Sequence, residues 1–348
     1  MKHTEISTLG EFGLIRHLTE DIHPHDSSTV YGIGDDCAVM RYPAGTAVLA
    51  STDMLMEGIH FDLVYTPLKH LGYKAATVNF SDLYAMNAMP RQLLVSIALG
   101  RRFSIEHTEQ LYAGLRLACE RYGVDLVGGD TTSSLTGMAL SLTCIGTAPE
   151  ADVVYRHGAH DTDLICCSGN LGAAYMGLQL LEREKRALAG QEKRPEVAAR
   201  PDFGGREYLL ERQLKPEARR DVIQALHEMG LRPTAMMDIS DGLSSELLHI
   251  CKQSHVGCRI YEERIPIDYQ TAAAAEEFNL NVTTCALNGG EDYELLFTLP
   301  LADYERATQL PDVHIIGHIC KPELGCRLIL RTSGEEMELK AQGWNPLQ

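Results

Sequence analysis

Carboxylates and hydroxyls recur in this chain where apolar, strand-like runs give out. In Leu49 to Phe61, LASTDMLMEGIHF, the run ends in Ser51-Thr52-Asp53 and is followed by His60. Asp130 follows Val124 to Val127 in VGGDTT, and Asp238 and Asp241 follow Thr234 to Met237 in DISDG. Asp35-Asp36 sits on a glycine-softened turn in GIGDDCAVM. Asp82 lies one step beyond Leu68, Leu71, Ala75 and Val78, the apolar stripe of a helix, where a carboxylate is costly to ionise unless paired or metal-bound. In an α/β protein, ligands collect at the carboxyl ends of strands, so Asp36, Asp53, Asp82, Asp130, Asp238 and Asp241 are candidate metal ligands. If they converge, neighbours roughly 4 Å apart repel by about 4 kcal/mol at an effective dielectric near 20. Such a cluster requires cations. An all-oxygen donor set favours Mg²⁺, which in a polycarboxylate cleft accompanies substrate phosphates.

The elements that must carry these residues alternate along the chain. Leu9 to Leu18 reads as a helix, and Ser104 caps another that Gly123 stops in the left-handed region. Met138, Leu140, Leu142 and Cys144 alternate as in a strand with one wetter face. Leu164 to Cys167, Tyr293 to Thr298 and Val313 to Ile319 also read as strands. Pro216 opens a helix that Gly230 closes, and Leu243, Leu247, Ile250 and Cys251 mark another that stops near Gly257. The expected fold is two-domain α/β, of the α+β type, with domains 1–149 and 150–348 and a charged insertion near 182–207.

Composition narrows the function classes. The 348 residues, 45% hydrophobic and 23% charged, suffice for two cores, and a net charge of -17 argues against a nucleic-acid partner. The ten cysteines lack Cys-x-x-Cys spacing, so they read as buried thiols of a reducing compartment rather than a zinc site or disulfide framework. MKHTEISTLGEF lacks the apolar core of a signal peptide, and Thr131 to Pro149 is too polar to span a bilayer, so a cytoplasmic protein without a membrane partner is expected. Gly32-Ile33-Gly34 begins like a dinucleotide fingerprint, but Cys37 occupies the third glycine position. No Gly-Lys dipeptide or His-Arg-Asp triplet is present, which excludes a P-loop and a protein-kinase catalytic loop.

Taken in order, GIGDDCA, STDMLMEGIHF, AATVNFSDLYAMNAMP, LVGGDTT, DISDGL and GGEDYELLF resemble the successive signatures of the thiamine-monophosphate kinase family, in the superfamily of aminoimidazole ribonucleotide synthetase. The resemblance runs from Gly10 to Trp344; the charged 182–207 segment looks longer than the family core. It implies ATP-dependent phosphorylation of thiamine monophosphate to thiamine diphosphate by a homodimer joined through its amino-terminal sheets. Mg²⁺ contacts would fall to Asp36, Ser51, Thr52, Asp53, Asp82, Asp130, Asp238 and Asp241. ATP contacts would fall to Gly129, Asp130, Arg156 and Ser240, and thiamine phosphate would meet His60, Glu291 and Trp344. No residue is implied as an essential general base. Rival readings are a sister enzyme, such as a selenophosphate or aminoimidazole ribonucleotide synthetase, and a nucleotide-binding sensor without turnover. A reactive cysteine near a Gly-Lys-rich loop would mark the first sister, and nothing of that kind precedes Cys37; a carboxyl-terminal cysteine would mark a hydrogenase-maturation relative, where this chain has Gln348.

Overall fold

The computed structural model describes residues 4–5, 8–33, 38–191 and 203–342. They fall into two compact units, Met1–Val153 and Val154–Gln348.

The first unit runs α1 (Gly10–Thr19), β1 (Thr29–Tyr31), β2 (Val39–Met40), β3 (Thr46–Met56), α2 (Leu68–Tyr84), β4 (Met89–Leu99), α3 (Ile105–Tyr122), β5 (Asp125–Ser133) and β6 (Ala139–Pro149). A four-stranded sheet has the order β3-β6-β4-β5, antiparallel except for the β4–β5 pair. Met138, Leu140, Leu142 and Cys144 are all buried, as their alternation predicts. The Ser104 hydroxyl accepts the His107 amide at 3.4 Å to cap α3, and Gly123 ends it at φ 71.

Helices α2 and α3 cross through two glycines. A Cβ on Gly72 would stand 2.0 Å from the Leu111 carbonyl oxygen, and one on Gly114 would stand 1.9 Å from that of Lys69. Only glycine lets the backbones meet this closely. The contact holds α2 almost wholly buried, with Asp82 half-buried in its last turn.

The second unit runs β7 (Leu164–Ser168), α4 (Ala173–Gln191), α5 (Glu207–Leu214), α6 (Arg220–Glu228), β8 (Ala235–Ile239), α7 (Leu243–Ser254), β9 (Gly257–Tyr261), α8 (Tyr269–Glu277), α9 (Val282–Asn288), β10 (Glu294–Leu299), α10 (Tyr304–Ala307), β11 (Val313–Cys320), β12 (Cys326–Ile329) and β13 (Glu336–Glu338). Its seven-stranded sheet has the order β13-β12-β9-β11-β7-β10-β8, with only β12–β9 parallel. The apolar face of α7, Leu243, Leu247, Ile250 and Cys251, is buried in one core with Met237, Cys258, Ile260 and Leu328. Pro216 lies ahead of α6, which begins at Arg220 rather than at the proline. The expected charged segment, 182–207, spans the end of α4 and the start of α5, with 192–202 outside the described residues.

Two strand boundaries differ from expectation in a way that moves the chemistry. Ser51, Thr52 and Asp53 do not end a strand; they lie inside the 11-residue β3. Asp130 likewise lies inside β5, which continues through the glycines to Ser133. The strand-end rule belongs to parallel sheets with crossover helices, whereas β3 is an antiparallel edge strand whose ladder continues through polar residues. No helix among the described residues is long and apolar enough to cross a membrane.

Candidate functional site

Alternation along β3 sorts the expected ligands by face. Ser51 and Asp53 are half-buried while Thr52 between them is exposed. Ser51 donates its hydroxyl to Asp82. Asp53 is pushed up to about 7, first by burial and then by the Asp82 carboxylate. Asp82 belongs to the last turn of α2, the negative end of the helix dipole, which raises the cost of a second anion there. Ser51, Asp53 and Asp82 thus form an all-oxygen set, its two carboxylates repelling each other, suited to a hard divalent cation.

Thr52 and Asp130 stand apart from that trio. Thr52 donates to the Leu142 carbonyl at 2.9 Å and accepts from Thr143 at 3.2 Å. Across the sheet Asp53 aligns with the buried Leu142 and Val95, whereas Asp130 aligns with Ser96, Ser141 and the exposed Met54. Among the described residues no hydrogen bond or ion pair joins Asp130 to the trio. Gly129 has a structural reason to be glycine: at φ 158 it would place a Cβ 1.9 Å from the Val95 carbonyl oxygen. His60, half-buried after β3, closes a turn by accepting the Met56 amide on Nδ1 at 3.0 Å, which places the proton of the neutral ring on Nε2.

In the second unit, Asp238 is buried within β8, and Ser240 and Asp241 occupy the turn into α7 that Gly242 caps at φ 123. The loop before β10 closes on this turn. Glu291, itself at φ 61, donates its amide to the Ser240 carbonyl at 2.7 Å, and Tyr293 donates to Ile239 at 2.8 Å. A Cβ on Gly290 would stand 2.6 Å from the Ser240 oxygen. The Asp241 carboxyl is raised by partial desolvation, with Glu291 adding and His249 and the exposed Arg156 opposing. The structure therefore brings Asp238, Ser240, Asp241 and Glu291 together at the carboxyl end of β8, with Arg156 near enough to act electrostatically on Asp241. Asp36 and Trp344 lie outside the described residues.

Sequence reasoning missed two carboxylates here. Glu246, 1% exposed in the first turn of α7, accepts the Asp241 amide on one oxygen at 3.0 Å. Its other oxygen is buried without a protein partner. Burial, with Asp241 and Asp238 adding, pushes Glu246 up to about 8. An orphaned buried oxygen beside Asp238 and Asp241 fits a cation or its water shell. The only sequence signal was an acid in a first helical turn. Asp292 accepts the Gly172 amide at 2.7 Å and the Ala174 amide at 3.3 Å, capping α4 from a residue remote in sequence. Burial pushes it up to about 6, with Arg212 and those two amides opposing. Glu294 beside it accepts from Ser168 at 2.6 Å and Arg212 at 2.8 Å and also from Arg219.

A four-stranded sheet backed by two helices, with Asp53 inside β3, Asp130 inside β5 and Asp82 in the last turn of α2, defines the class: residues 34–148 match the family described as AIR synthase related protein, N-terminal domain. The thiamine-monophosphate kinase of Aquifex aeolicus is 34% identical over 314 residues, 90% of this chain and 92% of that protein. That of Bacillus subtilis is 31% identical over 343 residues, 97% of this chain and 99% of that one. A solved structure, "AaThiL complexed with AMPPCP and TMP", superposes with a TM-score of 0.73 at 31% identity, covering 99% of each chain. The chain belongs to the thiamine-monophosphate kinase family, and it is a kinase.

Proposed function

We propose that the protein transfers the γ-phosphoryl group of ATP to thiamine monophosphate, giving thiamine diphosphate. The observation that carries this reading is the likeness, over 99% of both chains, to a structure holding AMPPCP and TMP together. Mg²⁺ contacts are assigned to Asp36, Ser51, Thr52, Asp53, Asp82, Asp130, Asp238 and Asp241, with Thr52 contributing through a face other than that of Ser51 and Asp53. The repelling Asp53–Asp82 pair and the orphaned Glu246 oxygen support a cation in each unit. When bound, Mg²⁺ supplies charge neutralisation for the two phosphate groups.

Arg156 and Ser240, with Gly129 and Asp130, are assigned to ATP; an exposed planar guanidinium in electrostatic reach of Asp241 suits phosphate charge. Glu291, His60 and Trp344 are assigned to the thiamine phosphate, whose cationic ring favours a carboxylate and an aromatic face. The acceptor is a phosphate monoester with a second pKa of about 6, so its attacking oxygen needs no general base at neutral pH. Direct in-line transfer follows. A homodimer formed through the amino-terminal sheets is supported by the outer face of β3, where Val48, Met54 and Met56 are 52%, 60% and 36% exposed. On this reading 1–149 is the ATP, Mg²⁺ and dimerisation domain.

The test is incubation with ATP, Mg²⁺ and thiamine monophosphate, followed by chromatography. Thiamine diphosphate should accumulate in step with ADP, and free thiamine should remain unphosphorylated. ATP consumption without thiamine diphosphate, or phosphorylation of free thiamine instead, would overturn the assignment.

A further inference from the structure

Three cysteines that share no spacing motif converge in the second unit. Cys251 is near the end of α7, Cys258 is the second residue of β9, and Cys326 is the first of β12. Strands β9 and β12 run parallel with Cys326 opposite Cys258, so both sulfurs leave the same face of the sheet side by side. Helix α7 packs on that face and supplies Cys251, within a core that includes Leu247, Ile250, Ile260 and Leu328. All three Sγ atoms lie within 4.8 Å of one another. Three thiolates bound to one ion at about 2.3 Å would stand about 4 Å apart, so the set needs only a small contraction to close on a metal.

We infer that Cys251, Cys258 and Cys326 form a binding site for a thiophilic closed-shell cation, Zn²⁺ or Cu⁺, that ties α7 to β9 and β12. The donors decide the class: thiolate sulfur in an apolar setting selects soft ions and rejects the Mg²⁺ of the phosphate chemistry. Cys251 is 3% exposed and Cys258 is fully buried, while Cys326 is half-buried at the edge and leaves an entry path. A water in a fourth position there suits Zn²⁺, and a closed trigonal set suits Cu⁺. Each metal–sulfur bond replaces an S–H bond, so loading releases up to about three protons to solvent. Cys320 is an internal control. It pairs with Gly257, one residue out of step with Cys258, and its sulfur faces Arg259 Nη1 at 3.7 Å on the other side of the sheet.

The experiment titrates Zn²⁺, and separately Cu⁺ under anaerobic conditions, into the reduced full-length protein with Mg²⁺ in excess to occupy carboxylates. Wild type and Cys320→Ser should each take up one tight equivalent, with X-ray absorption reporting sulfur neighbours; Cys326→Ser should lose that equivalent. A chelator should lower the melting temperature of loaded wild type and Cys320→Ser but leave Cys326→Ser unmoved. The wild-type absorption spectrum decides the matter even if a variant misfolds. Oxygen or nitrogen neighbours only, equal uptake in both variants, or a metal-free protein lighter by two hydrogens because two of these thiols are joined in a disulfide would each overturn the inference.

Discussion

Asp53 and Asp82 are two repelling acids, of which Asp82 accepts the Ser51 hydroxyl, and the consequence is a linkage between protons, cations and stability. Asp53 is raised from 3.8 to about 7, so the folded chain holds this proton more tightly than the unfolded chain does. Its stabilising contribution is complete below pH 3.8 and is lost as the pH rises through about 7. For the metal-free protein the loss is at most about 4 kcal/mol. The melting temperature without Mg²⁺ should accordingly fall between pH 5 and pH 8 more steeply in wild type than in Asp53→Asn. Mg²⁺ with an ATP analogue should raise the wild-type value, more at pH 8 than at pH 5.5, and Asp53→Asn should weaken that rise. Equal shifts in both proteins would remove Asp53 from the cation site. At the same scale, Glu246 shows what pattern reading overlooks: its burial and its bond to the Asp241 amide depend on how α7 leaves β8, which no spacing in DISDGLSSE states.

At the scale of elements, the apolar periodicities of α2, α7 and β6 were legible, as were the Ser104 cap and the Gly123 stop, because each depends on neighbours within a turn or along one strand. The extents of β3 and β5 were not legible. Ser, Thr and Asp break an apolar run in the sequence, yet each strand continues because its ladder partners, β6 and β4, supply the backbone hydrogen bonds. The cysteine trio was hidden for a related reason, since its members come from three elements joined only by packing. The α2–α3 crossing gives the element-scale prediction. By propensity alone Gly72→Ala would stabilise a helix by about 1 kcal/mol. Here the added methyl would meet the Leu111 carbonyl at 2.0 Å, and backbone atoms on both sides leave only separation of the helices as relief. Overpacking of this kind costs about 1–3 kcal/mol or more. Thermal or urea unfolding should show Gly72→Ala to be less stable than wild type; an unchanged or raised midpoint would mean that the helices do not meet there.

At the scale of the whole molecule, the proposed reading assigns substrate selectivity and phosphoryl transfer to different residues. Glu291 is linked to the Ser240 carbonyl through its amide, so changing only its side chain leaves the loop's backbone contact in place. Glu291→Gln should raise the KM for thiamine monophosphate several-fold more than the KM for ATP, and equal increases would indicate general damage. The transfer itself should proceed without a phosphorylated protein. His60, seven residues beyond Asp53 in sequence, has Nδ1 engaged by the Met56 amide, so nucleophilic attack would have to come from Nε2, the nitrogen that carries the proton in the neutral ring. On the proposed reading, with an acceptor already ionised near neutral pH, the remaining barrier is to align two anionic phosphates, whose charge Arg156 and cations held by the aspartates would offset. Protein incubated with γ-labelled ATP and no acceptor should carry far less than stoichiometric label after denaturation. His60→Ala, with both substrates saturating, should retain single-turnover formation of thiamine diphosphate, with any loss confined to KM. Stoichiometric label that chases into thiamine diphosphate on addition of acceptor, or complete loss of single-turnover chemistry in His60→Ala, would replace direct transfer with a covalent route.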